Sequence, residues 1–247
     1  SGMSDYEKVK YFHDYIVKNC EYDTQSTEEG HSSSYTAYGC LVEGKAVCEG
    51  YALAMDYLCE KAGLYSLLIS GESTNSSGQT LSHIWNKIQL DGKWYDFDVT
   101  WDDPVSSFGS DYVRYDYFGV TDEELSLSHK VQKNSFGYYP DAVETDANYF
   151  RKNGILIEDA GQTEDIMIHA FELALSQNER TVSVRCADDE IYSEVTRQLL
   201  SSDEVTGMHM VYKYLKAAGA SLGKEVSYNG YYLVKNEKLD ILAIVIK

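Results

Sequence analysis

The spacing of apolar positions along the chain alternates between a helical and a strand period, and these periods predict its main elements. Residues 48–62 are predicted to form a helix, because apolar side chains recur there at helical spacing: Tyr51, Met55, Leu58 and Ala62. Gly63 then stands where a left-handed C-terminal cap is expected. A first amphipathic helix is predicted after the capping box Ser4-x-x-Glu7. Cys48 therefore lies in the first turn of the second helix.

A β-hairpin is predicted downstream of this second helix. Asp91-Gly92 is a strong two-residue turn signal, and apolar and polar residues alternate on both sides of it, over 84–90 and over 93–101. The turn pairs Leu90 with Lys93, and the predicted ladder then continues to residue 101. One face of the hairpin is nearly all apolar and is the predicted core face, while the opposite face is polar.

The same stretch carries three side chains that could form a nucleophilic thiol site. A thiol at the start of a helix meets unsatisfied backbone N–H groups and the positive end of the helix dipole, and both favour the thiolate. In the predicted register, His83 and Asp98 are diagonal neighbours on the polar face, pointing away from the core, with Cβ atoms roughly 7 Å apart or less. A hydrogen bond between them could orient the imidazole. Cys48, His83 and Asp98 are therefore the candidate nucleophile, base and orienting carboxylate.

Three motifs resemble the bacterial transglutaminase-like superfamily, a branch of the papain-like thiol enzymes: VCEGYA at 47–52, SHIWN at 82–86 and WYDFDVTW at 94–101. The resemblance extends downstream to Ser128-His129 and no further. It implies an α+β, papain-like core in which the catalytic cysteine begins a helix that packs on an antiparallel sheet. It also implies the roles just given for Cys48, His83 and Asp98.

Four further residues are candidates for supporting roles. Thiol acyl transfer needs a donor for the oxyanion beside the backbone N–H groups, and the resemblance implies that an upstream aromatic residue can serve. Tyr38 is the candidate, although anchoring of its own loop is the favoured alternative. Trp85 and Trp101 flank the histidine and aspartate motifs and are further candidates for oxyanion or substrate contacts. His129 matches the family pattern, and a structural or capping role is favoured over a catalytic one.

Two domains are predicted. Residues 1–152 form the transglutaminase-like catalytic domain, and residues 153–247 form a small α+β domain of unknown role. The second domain is predicted to contain a helix over 205–218 and an antiparallel strand pair, 226–235 with 239–246. It contains no motif that we can attach to chemistry.

Composition narrows the classes of partner and cofactor. With 21 basic and 40 acidic residues, the formal net charge of −19 argues against nucleic acid and anionic membranes as partners. No apolar run approaches the ~18 residues of a membrane span. The five cysteines are an odd set without Cys-x-x-Cys spacing, and neither a His-Glu-x-x-His motif nor a glycine-rich phosphate loop is present. We therefore expect no metal and no cofactor.

The predicted function is acyl transfer on peptide or Gln-type amides through an acyl-enzyme at Cys48. Hydrolysis is the default because water is always available, whereas amine transfer needs a channel that excludes water. The leading interpretation is therefore a peptidase or amidase. A protein-crosslinking transglutaminase and a catalytically dormant surface or binding protein of the same fold remain alternatives. The substrate is expected to be a protein or peptide, with cell-wall peptides included, and the resemblance implies an extracellular or cell-surface location in bacteria.

Overall fold

The computed structural model describes residues 2–25, 33–103, 112–132 and 139–247. The chain divides into two compact units, Ser1–Tyr149 and Phe150–Lys247. No helix within the described ranges combines the length and apolarity needed to cross a membrane. The assignment of residues 1–152 and 153–247 to separate functional domains stays a prediction.

The described residues of the N-terminal unit include three α-helices: α1 (Asp5–Asn19), α2 (Cys48–Lys61) and α3 (Asp122–Ser126). The predicted capping box opens α1, since the Ser4 hydroxyl accepts from the Glu7 N–H and the Glu7 carboxylate accepts from the Ser4 N–H. The predicted second helix begins at Cys48, and Gly63 follows it with a left-handed φ of 76°. Both helices were predicted correctly.

The strands of this unit form a short parallel pair and a five-stranded sheet. The pair is β1 (Glu21–Tyr22) with β2 (Lys45–Ala46). The sheet has the order β6-β5-β4-β3-β7 and is antiparallel throughout; its strands are β3 (Ser66–Thr74), β4 (Thr80–Leu90), β5 (Lys93–Phe97), β6 (Phe118–Val120) and β7 (His129–Val131). Helix α2 packs on β4, where the Asn86 side-chain amide donates to the Ala52 carbonyl at 3.0 Å. This arrangement confirms the predicted fold class.

The hairpin of β4 and β5 has the predicted turn and the predicted register at that turn. Asp91 and Gly92 both have positive φ, and Leu90 pairs with Lys93. The prediction that the ladder continues to residue 101 was wrong, because β5 ends at Phe97. There the Asp98 N–H donates to the Tyr117 carbonyl instead, a partner from outside the hairpin. Residues after β5 therefore turn away from β4.

The polar face of the hairpin is buried, contrary to the prediction that it points away from the core. Lys87, Asp96 and Trp85 all lie on this face and are almost completely enclosed. Lys87 Nζ is 2.9 Å from Asp96 Oδ2 and 2.5 Å from Asp122 Oδ1 on α3. The sheet therefore has protein on both sides, α2 on one and the ion-pair layer on the other.

The C-terminal unit has a mixed four-stranded sheet of order β10-β11-β9-β8. The strands are β8 (Leu156–Ile157), β9 (Thr181–Cys186), β10 (Tyr231–Asn236) and β11 (Ile241–Ile246), with β8 and β9 parallel and the others antiparallel. The helices are α4 (Tyr149–Lys152), which starts at the unit boundary, α5 (Thr163–Ser176), α6 (Asp189–Leu199) and α7 (Met210–Ser221). The predicted antiparallel strand pair is confirmed as β10 and β11.

The helix predicted over 205–218 starts later than expected, at Met210. Asp203 Oδ1 accepts from the N–H groups of Val205 and Thr206, and this local turn competes with the first helical turn. His209 is consequently the N-cap, and its Nδ1 accepts from the Val211 N–H at 3.3 Å.

Candidate functional site

Cys48 is the first residue of α2 and is half-buried. The N-cap residue Val47 has extended backbone angles and provides no side-chain cap, so the N–H groups of the first turn keep free donor capacity near the thiol. Gly50 allows the start of the helix to approach the segment before it, because a Cβ at this position would lie 2.5 Å from the Ser34 carbonyl oxygen. Close backbone packing thus fixes the position of Cys48.

His83 and Asp98 meet directly. His83 Nε2 is 2.6 Å from Asp98 Oδ2, although β5 ends before Asp98. The Asp98 carboxylate is held in place by its own turn, since Oδ1 accepts from the Trp101 N–H at 3.1 Å. The Cys48 thiol lines the same cavity as the His83 ring and interacts with it electrostatically. The structure therefore brings together the three side chains that the sequence singled out.

The charges in this group stabilise each other. Burial lowers the His83 pKa, but the charge and the hydrogen bond of Asp98, together with the nearby Cys48 thiol, outweigh it and raise the pKa to about 10. Burial works in the opposite direction on Asp98, where the charge of His83 and the hydrogen bonds from two histidines hold the pKa well below its usual range. An imidazolium beside an ionised carboxylate is thus the favoured state of the pair.

The second histidine on Asp98 is His129, the first residue of β7. Its Nε2 is 2.9 Å from Asp98 Oδ2, the same oxygen that contacts His83. Its Nδ1 is 2.8 Å from Ser128 Oγ. The family resemblance included His129, but sequence reasoning favoured a merely structural role and gave no hint of this contact.

The side chains of His83, Asp98 and His129 are also positioned like potential metal ligands, because their nitrogen and oxygen atoms lie within 4.8 Å of one another. A tetrahedral zinc ion with bonds of about 2.1 Å would hold its ligand atoms about 3.4 Å apart. The two nitrogen–oxygen distances here, 2.6 and 2.9 Å, are those of charge-assisted hydrogen bonds instead. The geometry therefore fits two histidines that donate to one carboxylate.

A cavity of about 220 Å³ opens over the thiol and the imidazole. Its described lining includes Tyr22, Asn75, Gln79, Trp101 and Asp103 beside Cys48 and His83. The Asp103 carboxylate accepts a hydrogen bond from the Tyr51 hydroxyl. The position of Tyr22 beside Cys48 was not predicted from the sequence.

The three supporting candidates from the sequence have different surroundings. Trp101 lines the cavity, with its ring centroid 6.0 Å from that of His83. Trp85 is buried behind His83, and its Nε1–H donates to Asp96 Oδ1 at 3.2 Å. Tyr38 is 57% exposed and is not among the described residues that line the cavity. The structure therefore brings Trp101 to the cavity, puts Trp85 behind it, and does not bring Tyr38 to it.

Comparison with known proteins gives matches that each cover less than half of this chain. Residues 1–99 match the family model of the transglutaminase-like superfamily. The kyphoscoliosis peptidases of Mus musculus and Homo sapiens are each 30% identical to this chain over 105 residues, which cover 40% of this chain but only 16% of each relative. A crystal structure of a TGase is 21% identical, with a TM-score of 0.35, over 44% of this chain and 31% of that one.

The family match covers the first two helices, the β3–β4–β5 sheet and all three members of the Cys48, His83 and Asp98 group. The same residues carried the resemblance in the sequence. The similarity of this chain to the transglutaminase-like superfamily therefore extends over residues 1–99.

Proposed function

We propose that this protein is a cysteine-nucleophile acyl-transfer enzyme that acts on peptide or Gln-type amides, working as a peptidase or amidase. The observation that carries the proposal is the position of His83, whose ring interacts with the Cys48 thiol and whose Nε2 is 2.6 Å from Asp98. An imidazole between a thiol and a carboxylate can take up the thiol proton and later deliver it to a leaving amine. Proteins and peptides, including cell-wall peptides, are the proposed substrates.

The proposed reaction begins when Cys48 Sγ attacks the carbonyl carbon of the amide. Because Nε2 of His83 is held by Asp98, Nδ1 is the ring atom that remains for the thiol and the leaving amine. The C–N bond breaks, the amine leaves with a proton from Nδ1, and the acyl group stays on sulfur as a thioester. Water, deprotonated by His83, then releases the carboxylic acid and regenerates the thiol.

The tetrahedral intermediate carries a negative oxygen that needs hydrogen-bond donors. Backbone N–H groups at the start of α2 supply some of them, and for the side-chain donor we propose Tyr22 instead of Tyr38 because Tyr22 lines the cavity beside Cys48. Tyr22→Phe should lower the turnover number roughly 10- to 100-fold, whereas Tyr38→Phe should change it less than about twofold. Similar losses in both variants would contradict this assignment.

A protein-crosslinking transglutaminase is the second candidate, and one observation favours it. Asp103 is the one acidic side chain among the described residues that line the cavity. Its negative charge would attract a protonated amine toward the thioester, where a primary amine could replace water as the acceptor. The first half of the reaction is the same for both candidates.

The first test of the proposal is the rate at which iodoacetamide alkylates each cysteine between pH 5 and 9, read by peptide mass spectrometry. Cys48 should react rapidly at pH 6, where an ordinary thiol with a pKa near 8.5 is less than about 1% ionised. His83→Ala should lower that rate on the order of 100-fold. Cys59 is an internal reference, since burial raises its pKa to about 12. A parent protein whose Cys48 titrates like an ordinary thiol would favour the dormant binding protein.

The second test separates the two enzymatic candidates. A library of Gln-containing peptides is incubated with the protein with and without a fluorescent primary amine, and the products are identified by mass spectrometry. Cleaved or deamidated peptides that are unaffected by the amine support the hydrolase. Incorporation of the amine at Gln supports the transglutaminase, and Cys48→Ala should abolish either product.

A further inference from the structure

One oxygen of Asp98 is shared between two histidines. His83 Nε2 and His129 Nε2 lie 2.6 and 2.9 Å from Oδ2, while Oδ1 accepts from the Trp101 N–H. An ionised carboxylate can only accept hydrogen bonds, so both Nε2 atoms must carry a proton. Each histidine therefore restricts the rotation of the carboxylate to which the other histidine is also hydrogen-bonded.

The sheet register explains why the two histidines converge. Gly71 on β3 lies opposite His83 on one side and opposite Val131 on the other. His129 is two residues before Val131 and therefore points to the same face as His83. A Cβ on Gly71 would collide with the Lys130 carbonyl oxygen and would lie 2.9 Å from the Trp85 ring. Glycine thus leaves the space in which Trp85 and the two imidazoles pack.

His129 is enclosed by aromatic rings and is only 4% exposed. Its ring centroid is 4.6 Å from that of Trp101 and 5.2 Å from those of Trp85 and Tyr117. Ser128 Oγ lies 2.8 Å from Nδ1 and 3.0 Å from the Tyr117 hydroxyl. The Nε2 proton of His129 is directed at Asp98, and Ser128 Oγ lies between Nδ1 and the Tyr117 hydroxyl. Hydrogen bonds at both nitrogens and rings on three sides fix the orientation of the imidazole.

We propose that His129 is a positioning residue of the thiol site, whose Nε2–H holds the Asp98 carboxylate in the orientation that keeps His83 directed at Cys48. The inference rests on the proposed function and extends it by a fourth member. His129 itself does not line the described cavity over Cys48, so it acts through Asp98 and not on the substrate. Without its donor, the carboxylate could rotate about its own side chain, and the imidazole of His83 would lose a fixed partner.

Four variants test this inference, because they separate the hydrogen bond from the space that the ring fills. His129→Phe keeps an aromatic ring and removes the donor. His129→Gln keeps an amide N–H near the place of Nε2, whereas His129→Asn has the same chemistry but is too short to reach Asp98. Ser128→Ala removes the hydroxyl that contacts both Nδ1 and the Tyr117 hydroxyl. Near-ultraviolet circular dichroism and thermal unfolding show which variants are folded.

The measurement is the rate constant for alkylation of Cys48 by iodoacetamide between pH 5 and 9. Every sample contains a chelator, so that a metal ion bound by His83, Asp98 and His129 does not affect the rate. The Phe and Asn variants should lose roughly tenfold in rate at pH 6, the size expected for a hydrogen bond to a charged group, and their profiles should move toward that of an ordinary thiol. The rate constant of the Gln variant should stay within about threefold of that of the parent. The rate constant of Ser128→Ala should lie between those of the Gln and Asn variants. If the Phe variant does not fold, the matched Gln and Asn pair decides.

Two outcomes overturn the inference. In the first outcome, Cys48 of the parent protein reacts rapidly, and the folded Gln and Asn variants have equal rates of Cys48 alkylation. His129 would then have only a structural role, while the proposed function survives. A parent protein whose Cys48 reacts like an ordinary thiol at every pH would refute the proposed function, and the positioning role would fail with it.

Discussion

The two units of this protein differ most in what they bury. The N-terminal unit encloses ionisable side chains on both sides of the site: His13, His83, Lys87, Asp96, Asp98, Asp102, Asp116 and His129. In the C-terminal unit, all of whose residues are described, the buried polar side chains are the uncharged Thr163, Ser183 and Thr196. Burial of an ion costs several kcal/mol unless partners compensate for it, and an apolar core of the same size is often as stable. The N-terminal unit therefore buries charged groups at a cost in stability, whereas the C-terminal unit buries mainly apolar side chains.

The largest effect on this contrast should come from Asp98→Ala, which removes the acceptor of both His83 and His129. We expect alkylation of Cys48 by iodoacetamide at pH 6 to fall on the order of 100-fold, because the imidazole loses its orientation and its charged partner. Leu242→Ala is the matched change in the other unit. It deletes a fully buried side chain and should lower the free energy of unfolding by about 2–5 kcal/mol without changing that rate. If Asp98→Ala and Leu242→Ala lowered the rate of Cys48 alkylation equally, the two units would not differ in this respect.

Next in size is Lys87→Met, which leaves Asp96 without its buried partner. At pH 8, we expect the free energy of unfolding to fall by about 3–5 kcal/mol, because Asp96 must then either stay ionised without its buried partner or take up a proton. The double variant Lys87→Met/Asp96→Asn should recover most of that loss, because the amide is uncharged and can still accept from the Trp85 Nε1–H. Urea unfolding measures the free energy of unfolding of the single and the double variant. A double variant no more stable than the single one would mean that the charge is not the cause.

A smaller effect is expected from Asp96→Asn as the pH changes. Burial raises the pKa of Asp96 to about 7, although Lys87 works to lower it. A carboxyl group with a raised pKa holds its proton more tightly in the folded state, so its contribution to stability falls as the pH rises from about 4 to about 7. The urea midpoint of the parent should therefore drop between pH 4.5 and 7.5 by more than that of the variant. Parallel changes in the two proteins would contradict this origin.

The elements that depend on neighbouring residues were the ones that could be predicted from the sequence. Helix α2 follows from its apolar spacing, and the β4–β5 hairpin follows from Asp91-Gly92, which adopts the positive φ angles of a two-residue turn. The adjacency of His83 and Asp98 followed from the hairpin pattern, whereas the fold class followed from the resemblance of the motifs to the transglutaminase-like superfamily. The family match then covered all three candidate site residues.

The parts that were missed depend on contacts between distant segments. Asp98 leaves the ladder because its N–H donates to Tyr117, and His129 reaches Asp98 through a strand of three residues that carries no periodic pattern. Tyr22 reaches the cavity from a strand of only two residues. No spacing rule applies to such short elements. The catalytic roles, the domain assignment and the cellular location stay predictions.

The smallest effect should come from Asp240→Asn, which applies the pH test to the C-terminal unit. Asp240 is half-buried in the turn between β10 and β11, and burial together with the nearby charge of Asp189 raises its pKa to about 6. The sign is the same as for Asp96, so the carboxylate lowers stability as the pH rises from about 4 to about 6. Because solvent screens a half-buried group, the variant should gain less than about 1 kcal/mol at pH 7.5 and nothing at pH 4. Asparagine also tolerates the positive φ of 54° at this position.

Urea midpoints at pH 4 and pH 7.5 test the prediction for Asp240→Asn. A variant that is destabilised at both pH values would show that the carboxylate contributes a needed hydrogen bond. A gain as large as that of Asp96→Asn would mean that both units bury charge at similar expense, and the contrast between them would then rest on Cys48 reactivity alone.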